Sequence, residues 1–337
     1  MKAAVVHEQG PPEVLRIEDV PCPTPGPTQA VIRVHACGVC GHDQADRLGL
    51  TQPHGMPCIL GHEISGEVVE IGSMVRHFRP GDIVASKQFT TCGHCLPCRS
   101  GMELDCARKQ FIYGGYAEYV ALEDDALLHV PDGVDVVGAC IVACAVGTCY
   151  QALTAIAKLR PAEWVVVTGA GGGLGLHGVQ VAAALGGRVI AVTTSPQKNA
   201  FLSEIGAESV VVGRDEPYAN QILEITGGAG VQVVLDQVGH PTQFNQCFRA
   251  LAKRGRYVLT GQLYRERIGL YAAFVFGKEA VITGSASTPM SAFMRSMDLV
   301  REGRVKPVYE KVPLVEAVKA HTGIDNHSIV GRAVLVP

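Results

Sequence analysis

Long apolar runs and an excess of basic charge are both missing from this 337-residue sequence, and we expect no secretion signal. The net charge of −3 argues against a nucleic-acid or anionic-membrane partner, because either would require a basic face. No apolar run reaches the roughly 18 residues that a membrane span needs, and residues 1–7 do not have the design of a signal peptide. We therefore expect a cytoplasmic protein that has neither a nucleic-acid nor a membrane partner.

Charged residues are scarce, at 18% of the chain, whereas hydrophobic residues make up 47%. This balance excludes extensive disorder and provides for a large core. Internal repeats and low-complexity segments are also missing from the sequence. At this length the chain is expected to form two domains.

The pattern of hydrophobic residues changes twice along the chain. Residues 1 to about 130 contain short β-like runs broken by Gly and Pro, which is typical of a barrel-like β domain. From about residue 146, near-continuous apolar strands alternate with helical segments, as in a doubly wound parallel sheet. After residue 283 this rhythm stops, and residues 331–336 are predicted to form a closing strand of the first domain. The predicted domains are 1–145 with 284–337, and 146–283.

Cysteine, by contrast, is abundant, with twelve residues. Because no secretion signal is expected, these thiols are better explained as metal ligands and core residues than as disulfides. Cys40 and His62 are ligands of the kind that Zn²⁺ prefers, and Cys144 is the candidate third ligand, brought in by folding. Three protein ligands leave one position open for water or substrate, as a catalytic zinc site requires. Six further cysteines are assigned no site: Cys22, Cys37, Cys58, Cys140, Cys149 and Cys247.

A second metal motif occupies a predicted lobe at about residues 90–107. Its four cysteines are Cys92, Cys95, Cys98 and Cys106, with two, two and seven residues between successive thiols. One loop with this spacing can wrap a tetrahedral ion in a closed all-thiolate site with no room for substrate. The sequence therefore predicts two zinc ions per chain, one catalytic and one structural.

A glycine-rich loop follows the apolar run 164–168 and leads into a helical segment. Gly169, Gly172 and Gly175, with Gly173 and Leu174 between them, give a variant of the dinucleotide-binding fingerprint. Glycines allow the backbone to approach a pyrophosphate, whose charge is favoured at a helix N-terminus. We therefore predict a nicotinamide dinucleotide site.

No acidic residue stands eighteen residues past Gly175, where NAD-specific sites place one against the ribose. The chain has Thr193, Thr194 and Ser195 there, with Lys198 close behind. Hydroxyl groups can donate to a 2′-phosphate and a lysine can pair with it. NADP(H) is therefore the preferred cofactor, and NAD(H) remains possible.

Together these motifs resemble the zinc-dependent medium-chain dehydrogenase/reductase (alcohol dehydrogenase) superfamily, over essentially the whole chain. The resemblance implies a GroES-like β-barrel catalytic domain, a Rossmann nucleotide-binding domain and hydride transfer between the nicotinamide and an alcohol or carbonyl substrate. It assigns Asp43 to orienting the His62 imidazole, Glu63 to occasional zinc ligation and Thr148 to the nicotinamide. Further cofactor contacts are implied for the residues Val238, Gly261 and Ser285.

One departure from the family concerns the proton relay. Alcohol dehydrogenases usually have Ser or Thr two residues after the zinc cysteine, whereas this chain has His42, and Ala45 replaces the relay histidine. A histidine can carry a proton near neutral pH, so His42 could replace the hydroxyl relay. The relay could equally be missing because the substrate does not need it.

Two alternatives follow. The segments 192–195, 284–288 and 302–307 resemble acryloyl-CoA-type enoyl-CoA reductases, in which a coenzyme A phosphate could meet basic side chains, here Arg254, Arg256, Arg265, Arg267 and Lys278. The second alternative is a non-catalytic, nucleotide-binding structural protein, but intact Cys40, His62 and Cys144 argue against it.

The expected partners are an alcohol, carbonyl or acyl-CoA substrate and further copies of the chain. Because residues 271–276 are apolar where relatives pair edge strands, we expect a homodimer or homotetramer.

Overall fold

The structure is a computed structural model that describes residues 1–51, 55–213, 217–262 and 266–337. The chain divides into two compact units. Unit 1 comprises Met1–Cys144, Thr288–Arg301 and Pro307–Pro337, and unit 2 comprises Ala145–Ser287 and Glu302–Lys306.

The strands in the described ranges are β1 (Lys2–Val6), β2 (Leu15–Asp19), β3 (Gln29–Gly38), β4 (Cys58–Ile59), β5 (Glu63–Ile71), β6 (Ile83–Ser86), β7 (Phe89–Thr90), β8 (Gln110–Phe111), β9 (Tyr119–Glu123), β10 (Leu127–His129), β11 (Trp164–Val167), β12 (Arg188–Thr193), β13 (Ser209–Val212), β14 (Val231–Asp236), β15 (Leu251–Leu259), β16 (Val281–Gly284), β17 (Tyr309–Pro313) and β18 (Arg332–Val336).

The α-helices in the same ranges are α1 (Gly41–Arg47), α2 (Leu96–Arg99), α3 (Val136–Ala139), α4 (Gly147–Gln151), α5 (Gly173–Ala184), α6 (Asn199–Glu204), α7 (Ala219–Ile225), α8 (Pro241–Arg249), α9 (Ala272–Lys278), α10 (Met290–Arg301) and α11 (Ala317–Asp325). Two π-helical segments flank α4, namely Val142–Val146 and Ala152–Ile156.

Unit 1 is built on a seven-stranded sheet in which β3 is the central strand. The strand order is β10-β6-β5-β3-β18-β17, and β9 also pairs with β3. The C-terminal strand β18 runs antiparallel to β3, with Val334 opposite Gly38 and Leu335 opposite Cys37. The last residues of the chain therefore complete the same sheet that carries the Cys37–Cys40 segment. A smaller sheet, β2-β1-β4, adds Val6 and Leu15 to the core of this unit.

Unit 2 contains a six-stranded sheet in the order β13-β12-β11-β14-β15-β16, with every pairing parallel. Its central strand, β11, is buried along its whole length, which explains why it is continuously apolar. The order reverses between β11 and β14, the switch point at which doubly wound sheets bind nucleotides. The predicted doubly wound parallel sheet is confirmed.

The apolar segment 271–276, which we placed at the paired edge of the sheet, is mostly helical. Residues 272–276 lie in α9, Tyr271 is its N-cap, and Tyr271, Phe274 and Phe276 are 75%, 60% and 74% exposed. The edge strand is instead the following β16. No helix in the described ranges has both the length and the apolar character needed to cross a bilayer.

A buried polar cluster joins α1 to α11 within unit 1. The Arg47 guanidinium, completely buried, makes two hydrogen bonds of 2.8 Å to the Asp325 carboxylate and donates from Nε to His321 Nδ1 at 3.2 Å. His321 Nε2 lies 3.3 Å from the Tyr116 hydroxyl. Since α1 begins one residue after Cys40, this cluster fixes the helix that follows the first predicted zinc ligand.

The His321 imidazole should make the protein sensitive to acid. Burial, and then the neighbouring Arg47 charge, lower its pKa from 6.5 to about 4. The unfolded chain therefore binds a proton that the folded chain refuses, so stability falls as the pH drops from about 6.5 towards 4. At about pH 5 the expected loss relative to neutral pH is about 2 kcal/mol. Urea denaturation at both pH values checks this. The loss should shrink by that amount in His321→Gln, and an equal loss in both proteins would contradict the assignment.

Candidate metal centres and nucleotide loop

Cys40 lies at the point where β3 ends and α1 begins. It is the N-cap of α1, where the capping-box partner is Asp43, which accepts a hydrogen bond from the Cys40 N–H at 2.8 Å. The local sequence therefore fixes the thiol at the helix start and turns the Asp43 carboxylate inward, where it is fully buried.

Folding brings the three predicted catalytic ligands together with Glu63. The donor atoms of Cys40, His62, Glu63 and Cys144 all lie within 4.8 Å of one another. The Cys40 and Cys144 sulfurs are 3.8 Å apart, although the two residues are 104 positions apart in sequence. Two thiolates at about 2.3 Å from a tetrahedral zinc ion would be about 3.8 Å apart. The donor set and its spacing therefore fit zinc.

The buried His62 ring is oriented by Asp43. His62 Nδ1 lies 3.2 Å from Asp43 Oδ1, and the same oxygen accepts the Gly61 N–H at 3.1 Å. When Nδ1 donates its proton to the carboxylate, Nε2 is left as the ligand atom. Burial lowers the pKa of His62, but Asp43 and Cys40 outweigh it and raise this pKa well above the ordinary value.

The electrostatics of the cluster favour an ionised thiol at Cys40. A hydrogen bond from the Cys144 thiol, which outweighs the effect of burial, lowers the pKa of Cys40 well below its usual range. Burial raises the pKa of Glu63 to about 7, although Arg332 lies 3.1 Å from Oε1 and lowers it. Arg332 Nη2 is also 4.0 Å from Cys144 Sγ. Arg332 is thus a buried cation beside the acidic groups of the cluster. This role of Arg332 was not predicted from the sequence.

His42, the predicted proton carrier, lies in the first turn of α1 with its side chain 38% exposed. Its ring packs against Phe111, with centroids 4.5 Å apart, and meets the His62 ring edge-on at 5.7 Å. His42 Nε2 is 3.5 Å from the fully buried Asp46 carboxylate. Sequence reasoning missed Asp46, although its spacing of one helical turn from His42 indicated that the two could meet.

The four-cysteine motif also closes on itself. The sulfurs of Cys92 and Cys98 are 3.9 Å apart, those of Cys95 and Cys98 3.4 Å, and those of Cys92 and Cys106 3.7 Å. Hydrogen bonding from the His94 backbone lowers the pKa of Cys92 to about 5, which favours a thiolate. All four ligand atoms lie within 4.8 Å of one another, so this donor set also fits a tetrahedral ion.

In unit 2 the glycine-rich loop connects β11 to α5. Gly169 has φ +58°, and Gly172 is the N-cap of α5. A Cβ at Gly175 would lie 2.0 Å from the Gly169 carbonyl oxygen, so only glycine allows this close approach. Gly173 and Leu174 form the start of α5, whose free N–H groups suit a pyrophosphate.

The residues predicted to select the cofactor lie where β12 ends. Thr193 Oγ1 accepts the Ser195 N–H at 3.1 Å, and Thr193 is buried, whereas Thr194 is exposed. Lys198 Nζ donates to the Gly171 carbonyl at 2.6 Å, so this ammonium group lies directly on the glycine-rich loop.

Val238, Gly261 and Ser285 follow the ends of β14, β15 and β16 respectively. The Val238 N–H donates to Asp236 Oδ1 at 3.0 Å, and Gly261 approaches Gln237 closely enough that a Cβ would lie 2.7 Å from its carbonyl oxygen. The Ser285 hydroxyl is buried and has no hydrogen-bond partner among the described residues. Such an unsatisfied group at the carboxyl end of a parallel sheet fits a site that a dinucleotide would complete.

The resemblance assigned Thr148 to the nicotinamide, and the structure places it beside the helix that starts at the glycine-rich loop. Thr148 lies in α4, which packs against α5, and its neighbour Cys149 donates to the Leu174 carbonyl at 3.6 Å. Asp236, fully buried, accepts hydrogen bonds from Thr168 Oγ1 at 2.8 Å and Tyr257 OH at 2.7 Å, and thereby ties the loop after β11 to the end of β14. Sequence reasoning missed this role of Asp236, although an acid at the end of an apolar strand is a signal.

The basic residues considered for a coenzyme A phosphate are mostly engaged with the protein. Arg254 pairs with Glu279 at 2.8 Å, and Arg256 pairs with Glu163. Lys278 Nζ donates to the Arg249 carbonyl at 3.1 Å and also to that of Leu251. Arg265 lies outside the described residues. Arg254, Arg256 and Lys278 are therefore held by partners within the protein and give no support to a phosphate site.

Comparison with known proteins places these observations in a family. The family model for the alcohol dehydrogenase GroES-like domain matches residues 26–132, and the zinc-binding dehydrogenase model matches residues 173–302. An acryloyl-coenzyme A reductase and an NAD-dependent alcohol dehydrogenase, both from Sulfurisphaera tokodaii, are each 33% identical and cover all of this chain and all of their own. A crystal structure of AibC superposes with a TM-score of 0.94 at 38% identity, covering 100% of this chain and 96% of that one.

These matches confirm the predicted combination of a GroES-like domain with a Rossmann-type domain. The relatives include both alcohol dehydrogenases and acryloyl-coenzyme A reductases, which confirms the two resemblances predicted from the sequence. The chain belongs to the zinc-binding dehydrogenases of the medium-chain dehydrogenase/reductase superfamily, and it is an oxidoreductase.

Proposed function

We propose that this protein transfers hydride between NADP(H) and an alcohol or carbonyl substrate at a catalytic zinc ion held by Cys40, His62 and Cys144. A second, structural zinc ion is held by the four cysteines Cys92, Cys95, Cys98 and Cys106. The observation that supports the proposal best is the approach of Cys40 and Cys144 to a sulfur–sulfur distance of 3.8 Å beside a carboxylate-oriented histidine.

A zinc ion bound there supplies Lewis acidity to the substrate oxygen. Asp43 keeps the His62 ring in place by accepting the proton on Nδ1. Glu63 has one oxygen beside Arg332, and its carboxylate lies within 4.8 Å of the other three donor atoms, so it would be a further group able to hold the ion. His42 carries the substrate proton on its ring, and the Asp46 carboxylate lies 3.5 Å from Nε2.

Removing the His42 imidazole should slow carbonyl reduction by roughly ten- to a thousand-fold, the usual contribution of a positioned proton carrier. Steady-state rates of His42→Ala and wild type with aldehydes and ketones measure this effect. Asp46→Asn is the matched second variant, because it keeps the shape of the side chain and removes the charge that faces His42. Unchanged rates in His42→Ala would show that the proton leaves through another route.

The equal identity to an acryloyl-coenzyme A reductase and to an alcohol dehydrogenase favours one second candidate, reduction of a C=C bond conjugated to a thioester. The two reactions are separated by following NADPH oxidation in parallel on carbonyl compounds and on short α,β-unsaturated acyl-CoA thioesters. We expect turnover of carbonyl compounds. Turnover of thioesters alone would establish the second candidate, and turnover of neither would contradict both candidates.

The preference for NADP(H) is supported by the contacts at the end of β12. The residues there carry hydroxyl groups and no carboxylate, and Lys198 places its ammonium group on the glycine-rich loop. NAD(H) is the second candidate cofactor, on the 33% identity to the NAD-dependent relative.

Introducing a carboxylate at Thr193 should reverse this preference. In Thr193→Asp the new charge repels a 2′-phosphate, so we expect the ratio of kcat/KM for NADPH to that for NADH to fall by roughly ten- to a hundred-fold. Thr193→Asn is the matched control, since it has the same shape and can still accept the Ser195 N–H. The basis of the proposal fails if wild type uses both cofactors equally well or if the Asn variant shifts the ratio as far as Asp.

We also propose that the protein is a homodimer or homotetramer. Exposed aromatic side chains on α9 and an exposed Val281 on the edge strand β16 support self-association through unit 2. Light scattering at micromolar concentration tests this, and a monomer would contradict it.

A further inference from the structure

The third catalytic ligand is held in place by side chains that are remote from it in sequence. Cys144 lies in the π-helical segment Val142–Val146, a rare conformation that recurs at functional sites. The carbonyl oxygen of its neighbour Ala143 accepts a hydrogen bond from Thr288 Oγ1 at 2.6 Å and another from Gln88 Nε2 at 3.3 Å. Thr288 and Gln88 are both buried, so water cannot replace these donors without repacking.

Both donors are connected to the four-cysteine lobe through one residue, Glu103. Glu103 lies between Cys98 and Cys106 in a short 3₁₀ turn. One of its carboxylate oxygens accepts the backbone N–H of Met290, the first residue of α10 and two positions past Thr288. Its other oxygen pairs with Lys87 Nζ at 3.1 Å, and Lys87 directly precedes Gln88.

The contact between Lys87 and Glu103 is restricted by the surroundings of the lysine. Its side chain is only 1% exposed, and a second carboxylate, that of Asp125, lies 3.6 Å from Nζ. The ammonium group also lies 4.7 Å from the centre of the Phe89 ring. Moving a buried charge away from its partners is costly, so Glu103 cannot shift relative to Lys87 without loss of stability. The position of the lobe therefore fixes the two backbone segments, 87–88 and 288–290, that carry the donors to the Ala143 carbonyl.

We propose that the four-cysteine lobe positions Cys144, acting through Glu103 on Thr288 and Gln88, and that Thr288 is a positioning residue of the catalytic metal site. This inference rests on the zinc assignments of the proposed function. It assigns the lobe a part in setting the affinity of the catalytic site, in addition to its contribution to folding. A purely structural role for the same contacts would instead affect both metals and the overall stability together.

Thr288→Val tests the inference directly, because it keeps the side-chain shape and removes the hydrogen bond to Ala143. Zinc content and the rates of zinc release to a colorimetric chelator are measured on the holoenzyme, together with the melting temperature. We expect one of the two zinc ions to leave roughly ten- to a hundred-fold faster, as for other groups that orient metal ligands, with the second zinc ion unaffected. Thr288→Ser, which restores the hydroxyl, should release both ions as wild type does.

A double variant, Lys87→Met with Glu103→Leu, removes the link from the lobe. The charge that loses its cation is that of Asp125, which is 26% exposed and keeps two hydrogen bonds of 2.8 Å from Thr91. The double variant should show the same selective release of one zinc ion. Lys109→Met is the matched lobe control, because it removes a hydrogen bond to the Leu104 carbonyl and should leave both rates unchanged.

The inference is overturned if Thr288→Val releases both zinc ions at wild-type rates, or if it loses both in parallel with a fall in melting temperature. With either result, the proposed function still stands as long as the wild-type protein contains two zinc ions. Wild-type protein isolated without chelator and holding fewer than two zinc ions would instead contradict the metal assignments, and the inference with them.

Discussion

Replacing Cys144 by Ser is expected to remove one zinc ion per chain and to abolish turnover while the protein remains folded. The variant loses one of three protein ligands, and a serine hydroxyl is not ionised as a thiolate is. Loss of the Lewis acid costs several kcal/mol of transition-state stabilisation, so kcat/KM should fall by roughly a thousand-fold or more. Zinc analysis, initial rates and thermal denaturation together check this result.

Cys22→Ser is the control for Cys144→Ser, because Cys22 is an exposed cysteine outside both clusters. It should retain two zinc ions and full activity. Two zinc ions and substantial turnover in Cys144→Ser would show that Cys144 is not a ligand. The cluster of Cys40, His62 and Glu63 would then have to hold the catalytic zinc alone.

Replacing Cys98 by Ser should have the opposite profile, with damage to the fold as its main effect. Cys98 Sγ contacts two other thiols of its cluster, and a structural zinc ion contributes directly to the free energy of folding. We expect a loss of several kcal/mol in stability, seen as a lower melting temperature, and loss of the lobe zinc. Because Glu103 links the lobe to the Ala143 carbonyl, the catalytic zinc should also be released faster.

The two variants are therefore expected to differ in which zinc ions they lose, and zinc analysis can detect this difference. Cys144→Ser should leave the lobe zinc bound, whereas Cys98→Ser should weaken both metals. Circular dichroism separates this result from global unfolding, since the metal content is interpreted only where secondary structure is retained. A Cys98→Ser protein with two tightly bound zinc ions and an unchanged melting temperature would rule out the structural assignment.

Several features of this protein were determined by its sequence because the residues involved are close neighbours along the chain. The spacing from Cys92 to Cys106 is short enough for one loop to close around an ion, and the structure brings these sulfurs together. Gly169 and Gly175 meet across a single turn, which explains why the loop could be read from its glycines. The change from broken β runs to continuous apolar strands predicted the parallel sheet. A strand that is buried on both faces has apolar residues at almost every position.

Other features were decided only by tertiary structure, because they depend on contacts between distant segments. Nothing in the local pattern around Cys144 specifies that its neighbour's carbonyl is held by Thr288, 145 positions away. The partners of Arg254 and Arg256 were likewise hidden, so these side chains could be mistaken for a phosphate site. The segment 271–276 is apolar in either a strand or a helix, and periodicity over six residues does not separate the two. In the folded chain this segment lies mostly in α9, and β16 pairs with β15 as the edge strand of the sheet.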